Sequence, residues 1–264
     1  MGSIFASIFE KRLKNDTLLL ERYRIKDFIG KGSYGLAYLA VDLVTNNTVI
    51  VKQARKRWRK NTEGMLENEA RQLQNVSHPS IPTCIQFFEE NHRFFLVMEY
   101  IDGRNFEDLI LNDGQTYDEK ESLQIFYHVI QVVRYLHSRK IIHRDLRLPN
   151  ILCKNDQVFV IDFGLAVTIQ KEEKAECVTE KQMFREQSYR SDFYALGHFL
   201  LFLLYSTFEP TSKKERGWEE ELVLTEGTRR ILKKLLRIDG SYKHIDEIVD
   251  DLMKHRDGSS ASVK

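Results

Sequence analysis

The chemistry in this chain begins with three glycines. In "IGKGSYGLAYLAVDLVTNNTVIVKQ", residues 29–53, they stand at Gly30, Gly32 and Gly35. Without a Cβ, such residues let backbone N–H groups approach and close over phosphate oxygens. Two local architectures use a triplet of this kind: a strand–turn–helix whose helix N-terminus faces a pyrophosphate, and a strand–loop–strand flap. Here "LAYLAVDL" is followed by "TNN" and then "TVIV", two strand-like runs around an Asn-containing turn, with β-branched residues in the second. The glycines therefore belong to a flap, and phosphate handling is the chemistry they suit. A glycine-rich hairpin without a ligand is the plainer alternative, and the glycines alone leave it standing.

Further polar groups follow in a fixed order. "VIVK" ends at Lys52, and a helical stretch from about Thr62 to Asn75 carries Met65, Leu66, Ala70 and Leu73 at three- and four-residue spacing. "FFLVMEYIDG" spans 94–103, "IIHRDLRLPNILC" spans 141–153 and "VFVIDFGLA" spans 158–166. Over about residues 23–254 this succession resembles the eukaryotic-type protein kinases, small bacterial serine/threonine kinases in particular.

The resemblance implies ATP and Mg²⁺ as cofactors and a protein substrate. Ile29, Gly30, Gly32, Gly35, Ala37 and Ile50 would cover the nucleotide, with Lys52 gripping its α and β phosphates. Glu69 is the expected ion-pair partner of Lys52, because Leu73 lies one turn later and "SHP" closes the helix; Glu67 and Glu63 are the alternatives. Met98 would stand beside the adenine, the Glu99 and Ile101 backbone would hydrogen-bond it, and Leu152 would form its floor. Asp145 would accept or orient the substrate hydroxyl, Arg147 would neutralise the γ phosphate, and Asn150 and Asp162 would offer oxygen ligands to Mg²⁺. His143 and Phe163 would be structural.

The chain departs from the family pattern in places. Ala37 stands where Val is usual and Ile50 where Ala is usual, a large-to-small change beside a small-to-large one that conserves volume. Arg147 replaces the usual Lys, keeping the charge on a planar fork. "TEKQMFRE", 179–186, lines up with the family's "TPEYMAPE", which places Thr179 beside the catalytic Asp and favours Ser/Thr acceptors. Glu186 keeps its carboxylate, with Lys243 of "DGSYKH" the expected partner, and Asp192 would hold the backbone of the catalytic loop. Arg144 is the kind of residue that pairs with an activation-segment phosphate; Thr168 is the candidate acceptor, though its acidic neighbours oppose one. Two other readings of the chain stand beside a kinase: a pseudokinase scaffold that binds ATP without turnover, and a kinase-fold enzyme phosphorylating a small molecule.

These residues need elements that position them. The expected fold is α+β in two lobes: residues 23–99 as an antiparallel β N-lobe with one helix, and 100–254 as a mainly helical, trimmed C-lobe, after an N-terminal extension over 1–22 and before a disordered tail over 255–264. A stripe of Leu123, Phe126, Val129, Ile130, Val133 and Leu136 predicts a core helix over about 119–138. "FYALGHFLLFLLYSTF", 193–208, is shorter than the ~20 apolar residues a bilayer needs and reads as a buried helix. Forty basic and thirty-nine acidic residues leave a net charge of +1, which argues against a general nucleic-acid or anionic-membrane field. The run "ARKRWRK", 54–60, is a local exception that suits a solvated loop. Three spaced cysteines and a start without a signal-peptide pattern point to a reduced, cytoplasmic setting. The sequence leaves the oligomeric state open.

Overall fold

The computed structural model describes residues 12–31, 35–54, 62–170, 179–210 and 216–261, and side chains only up to residue 255 and from 64 on in the first helix. Gly32, Cys177 and the basic run after Ala54 lie outside the described residues. Contacts divide the chain into two units, one reaching Ile101 and including Phe163–Leu165, the other formed by Asp102–Asp162 and the chain from Ala166 onward.

The first unit is built on a six-stranded antiparallel sheet in the order β1-β2-β3-β4-β6-β5. Its strands are β1 (Leu18–Leu19), β2 (Tyr23–Lys31), β3 (Gly35–Asp42), β4 (Thr48–Ala54), β5 (Cys84–Glu90) and β6 (Arg93–Glu99). Strict alternation along β3 buries Leu36, Tyr38 and Ala40 and leaves Ala37 and Leu39 half-buried on the other face, the period-2 pattern of a strand. The core joins these residues to Tyr23, Ile25, Val49, Val51, Phe95 and Val97. At the turn between β3 and β4, Asp42 takes both Nε and Nη2 of Arg22 at 2.7 Å. Gly35 is obligatory here, since a Cβ would stand 2.3 Å from the Gln53 carbonyl oxygen across the ladder. Helix α1 (Thr62–Gln74) buries Leu66, Ala70 and Leu73 and packs on β4, β5 and β6; the turn Phe163–Leu165 packs against α1.

The second unit starts with β7 (Arg104–Asn105) and a π turn, Asp108–Asn112. Helix α2 (Glu119–Ser138) follows, opened by a capping box in which Asp118 accepts from the Glu121 N–H and Glu121 from the Asp118 N–H. Its buried face holds Phe126, Val129, Ile130, Val133 and Leu136, the stripe legible in the sequence. Short strands β8 (Ile141–Ile142), β9 (Ile151–Lys154), β10 (Gln157–Val160) and β11 (Val167–Thr168) frame the polar loops; β9 pairs with β10 and β7, and β8 with β11. Then come α3 (Glu180–Arg185), α4 (Tyr189–Tyr205), α5 (Trp218–Glu221), α6 (Glu226–Leu235) and α7 (Ile245–Ala261).

Helix α4 carries the long apolar run and is buried along most of its length, packed against α2 and α6, with α7 against α2 and α6. The stretch between α4 and α6 holds only the four-residue α5 among the described residues, in keeping with a reduced helical lobe. Helix α7 runs on to Ala261, into the stretch from residue 255 whose composition predicts disorder. Among the described residues no helix is long and apolar enough to cross a membrane. The unit architecture is the α+β kinase type that the motifs imply.

Candidate active site

Each unit carries its own set of candidate groups. In the first, Lys52 lies on β4 opposite Ala37 and Leu96, and its Nζ reaches Glu69 Oε1 at 2.6 Å. The Glu69 side chain is 1 % exposed and that of Lys52 22 %, so the carboxylate is fixed below and the ammonium remains reachable. Glu67 is exposed on the same helix, which sets it apart from the buried Glu69 by helical phase, while the Glu63 side chain lies outside the described residues. Ile50 pairs with Leu39, and Ala37 lies two pairs further along, opposite Lys52 and diagonal to Ile50 on the same face. The small-for-large exchange is therefore shared across a diagonal and not a direct pair. Met98 is buried, Ile29 is 55 % exposed, and the Glu99 N–H donates to the Thr83 carbonyl at 2.9 Å.

In the second unit the loop between β8 and β9 gathers the other groups around Asp145, which is buried. Asn150 Nδ2 donates to the Asp145 carbonyl and to its Oδ2, both at 2.9 Å. That commits the amide nitrogen and leaves Asn150 Oδ1 as the atom able to meet a cation. Arg147, expected at the γ phosphate, lies against Asp145: its Nε is 3.0 Å from Asp145 Oδ1 and its Nη2 3.2 Å from Oδ2. A planar guanidinium matches a carboxylate in two bonds, which an ammonium cannot do.

His143 is fully buried and links the loop to the strand end before Asp162. Its Nδ1 accepts from the Asp145 N–H at 3.3 Å, so Nε2 carries the proton given to the Ile161 carbonyl at 3.1 Å. Burial lowers its pKa against the pull of Asp192, Asp145 and Asp162, keeping the ring neutral in that tautomer. Beneath it, Asp192 of α4 accepts from the His143 N–H at 3.0 Å, the Arg144 N–H at 2.7 Å and His137 Nε2 at 2.8 Å. Burial works to raise the Asp192 carboxyl, but the His137 hydrogen bond and charge, with the Arg144 N–H, hold it below the ordinary range. This is the backbone support expected of Asp192.

Two non-glycine residues of the site sit in the left-handed region, Arg144 at φ 64° and Asp162 at φ 66°. Such backbone costs roughly 1–3 kcal/mol per residue and needs surrounding bonds to persist. Leu152 is buried on β9, and Phe163 is wholly buried beside α1.

The segment after Asp162 departs most from expectation. Thr179 does not bond Asp145: it caps α3, its Oγ1 accepting from the Gln182 N–H at 3.3 Å while Gln182 Oε1 accepts from the Thr179 N–H at 2.9 Å. "TEKQ" is a capping-box sequence, and the local bonds win. Glu186 pairs with Arg237, whose Nη2 meets Oε1, and Lys243 is exposed. Phe184, in place of a small residue, meets Tyr194 edge-on and His198 at a tilt, at 4.8 and 5.1 Å between centroids. Arg185, unforeseen as a site residue, gives Nη1 to the Arg144 carbonyl at 2.8 Å and holds Nη2 3.4 Å from Asp145 Oδ1. The signal for it was an Arg standing where the family has Pro. Thr168 lies exposed on β11 opposite Ile141.

Comparison with known proteins places these sets in one family. The protein kinase domain model matches residues 23–255. The chain is 36 % identical to the probable serine/threonine-protein kinase YbdM of Bacillus subtilis strain 168, covering 93 % of each sequence. It is 27 % identical to serine/threonine-protein kinase B of Synechocystis, across 90 % of this chain and 47 % of that one. With the human NUAK family SNF1-like kinase 1 it shares 28 % identity over 75 % of this chain and 32 % of that protein. It thus spans nearly all of the first and less than half of the other two. With the matched domain reaching from β2 into α7, the chain belongs to the protein kinase family.

Proposed function

We propose that this chain transfers the γ phosphate of ATP, with Mg²⁺, to serine and threonine hydroxyls of protein substrates. The observation that carries the reading is the buried Asp145 with Asn150 on its carbonyl and carboxylate, a base or orienting group held in one rotamer. Phosphoryl transfer asks little covalent chemistry of a protein: it asks for alignment and for charges that meet the developing negative charge.

On this reading Lys52, steadied by Glu69, binds the α and β phosphates, and Glu99 meets the adenine through its carbonyl, its N–H being taken by Thr83. Asp145 orients the acceptor hydroxyl and takes its proton as the oxygen–phosphorus bond forms and ADP leaves. Asn150 Oδ1 and the Asp162 carboxylate are hard oxygen donors, the kind Mg²⁺ prefers, and two are suited to an ion that completes its shell with phosphate oxygens and water. When bound, that ion neutralises phosphate charge. Among the described residues a Cβ at Gly30 would meet no atom within 4 Å, which leaves room for the close approach of a ligand.

The acceptor class rests on the names of the relatives and not on Thr179, whose hydroxyl is spent on its cap. The test is phosphoamino-acid analysis of a generic basic protein after incubation with the chain, labelled ATP and Mg²⁺, beside an EDTA control. Label on Ser or Thr that disappears with EDTA is expected. Label confined to Tyr, or transfer to an aminoglycoside but to no protein, would overturn the assignment.

A further inference from the structure

Arg185 belongs to the site by its contacts but has no part in the reaction just described. Its guanidinium donates to the Arg144 carbonyl and lies against Asp145, while the Arg144 guanidinium donates back to the Arg185 carbonyl. Two arginines thus exchange hydrogen bonds between the loop bearing Asp145 and the last residue of α3. The backbone of Arg144 is consequently held at both ends, its N–H by Asp192 and its C=O by Arg185. That hold matters because Arg144 occupies the left-handed region at φ 64° and sets the direction in which Asp145 leaves the chain.

The anchor on the other side does not depend on the loop. Helix α3 is capped by Thr179 and Gln182 at its start, seated by Phe184 on Tyr194 and His198, and followed at once by the Glu186–Arg237 pair. Arg185 therefore projects from an element fixed to α4 and to Arg237. Its side chain keeps 39 % exposure against 4 % for Asp145, so it sits at the rim of the carboxylate and closes one flank of it.

We propose that Arg185 is a positioning residue for Asp145, and that the Arg144–Arg185 clasp holds the loop ready for transfer without a phosphate on the segment between Asp162 and Glu186. The link from loop to segment is made by a main-chain carbonyl and a side chain of the sequence itself. This rests on the kinase reading above.

The experiment uses the full chain after phosphatase treatment, with the phosphatase removed and the absence of phosphate checked by intact mass. Initial rates on a basic acceptor protein are compared for wild type, Arg185→Ala and Arg185→Lys, with ATP KM, nucleotide affinity and thermal midpoint measured for each. Dephosphorylated wild type should turn over without a lag. Arg185→Ala should lose roughly ten- to a hundredfold in kcat, the scale of a misplaced catalytic group, with ATP KM and affinity unchanged. Arg185→Lys should recover part of that loss, because one ammonium can serve the carbonyl or the carboxylate but does not span both as a fork does.

Wild-type kcat in Arg185→Ala, a gain in kcat, or a lag that phosphorylation abolishes would overturn the clasp. If Arg185→Ala fails to fold, Arg185→Gln takes its place, keeping most of the packing while removing the charge; an unchanged kcat there overturns the proposal equally. No transfer by any form would instead overturn the kinase reading on which it rests.

Discussion

Replacing Glu186 by Gln removes one charge from a nearly dry ion pair and leaves the shape almost intact. The Glu186 side chain is 4 % exposed and that of Arg237 15 %, and the Arg237 guanidinium also lies 5.8 Å from the Tyr194 ring centroid. Breaking a buried pair from one side costs about 3–5 kcal/mol, because the remaining charge has lost its counterion. Arg237 retains some water, so the lower end, ~3 kcal/mol, is the expected loss. At ~2–4 °C per kcal/mol for a chain of this size, the midpoint should fall by about 6–12 °C. Scanning calorimetry on wild type, Glu186→Gln, Arg237→Met and the double variant supplies the cycle. The double variant should recover much of the loss, with a coupling of roughly 2–3 kcal/mol. Lys243→Met serves as the control, an exposed cation whose loss should stay within ~0.5 kcal/mol. A midpoint unmoved in Glu186→Gln, or an equal fall in Lys243→Met, would refute the assignment of Arg237 as the partner.

Other outcomes follow from the same contacts. Glu69→Gln removes the carboxylate from Lys52 and should raise ATP KM and lower kcat/KM at least tenfold, measured by initial rates; unchanged kinetics would show that Lys52 needs no partner. Asp192→Leu deprives the His143 and Arg144 N–H groups and His137 of their common acceptor, and should cost several kcal/mol in denaturant unfolding; a loss under ~1 kcal/mol would contradict it.

Acid should destabilise the fold in two stages. Burial pushes His78, His143 and His198 below their ordinary 6.5, so beneath that pH the unfolded chain takes protons the folded chain refuses. Asp42 is held well below the carboxylate range by its Arg22 hydrogen bonds, and Asp192 and Asp251, despite burial, are lowered by their hydrogen-bond donors. These three favour folding above the unfolded carboxyl pKa of ~4, and that favour is lost as pH falls further. The thermal midpoint should therefore rise between about pH 3 and pH 7, and a flat profile there would count against this balance.

The parts of the fold that were legible in the sequence are those whose cause is local. Helix α2 announced itself by its stripe, α4 by an apolar run too short for a bilayer, and the flap by strand-turn-strand chemistry after the glycines. Glu69 could be chosen over Glu67 because helical phase decides which of them is buried. The partner of Glu186 was not legible, because it depends on where the chain turns after α6. Arg237 stands at φ 60°, directly beyond that helix, and the turn delivers its side chain to Glu186, while Lys243 ends on the surface. The family alignment points Thr179 to a long-range contact, while its own neighbours, "EKQ", specify a cap, and the cap prevails. Arg185 was visible as a departure from the family pattern, but what it touches is set by the seating of Phe184 on Tyr194 and His198 of the next helix, α4.

The most direct measurement is the rate of γ-phosphate transfer from labelled ATP and Mg²⁺ to protein, wild type beside Asp145→Asn, at equal nucleotide occupancy. Asp145→Asn keeps the size of the side chain and removes its capacity to take a proton. The account predicts transfer by wild type and a fall of at least a hundredfold in the variant, with ATP still bound. Equal rates in the two, or nucleotide binding without transfer by either, would contradict it.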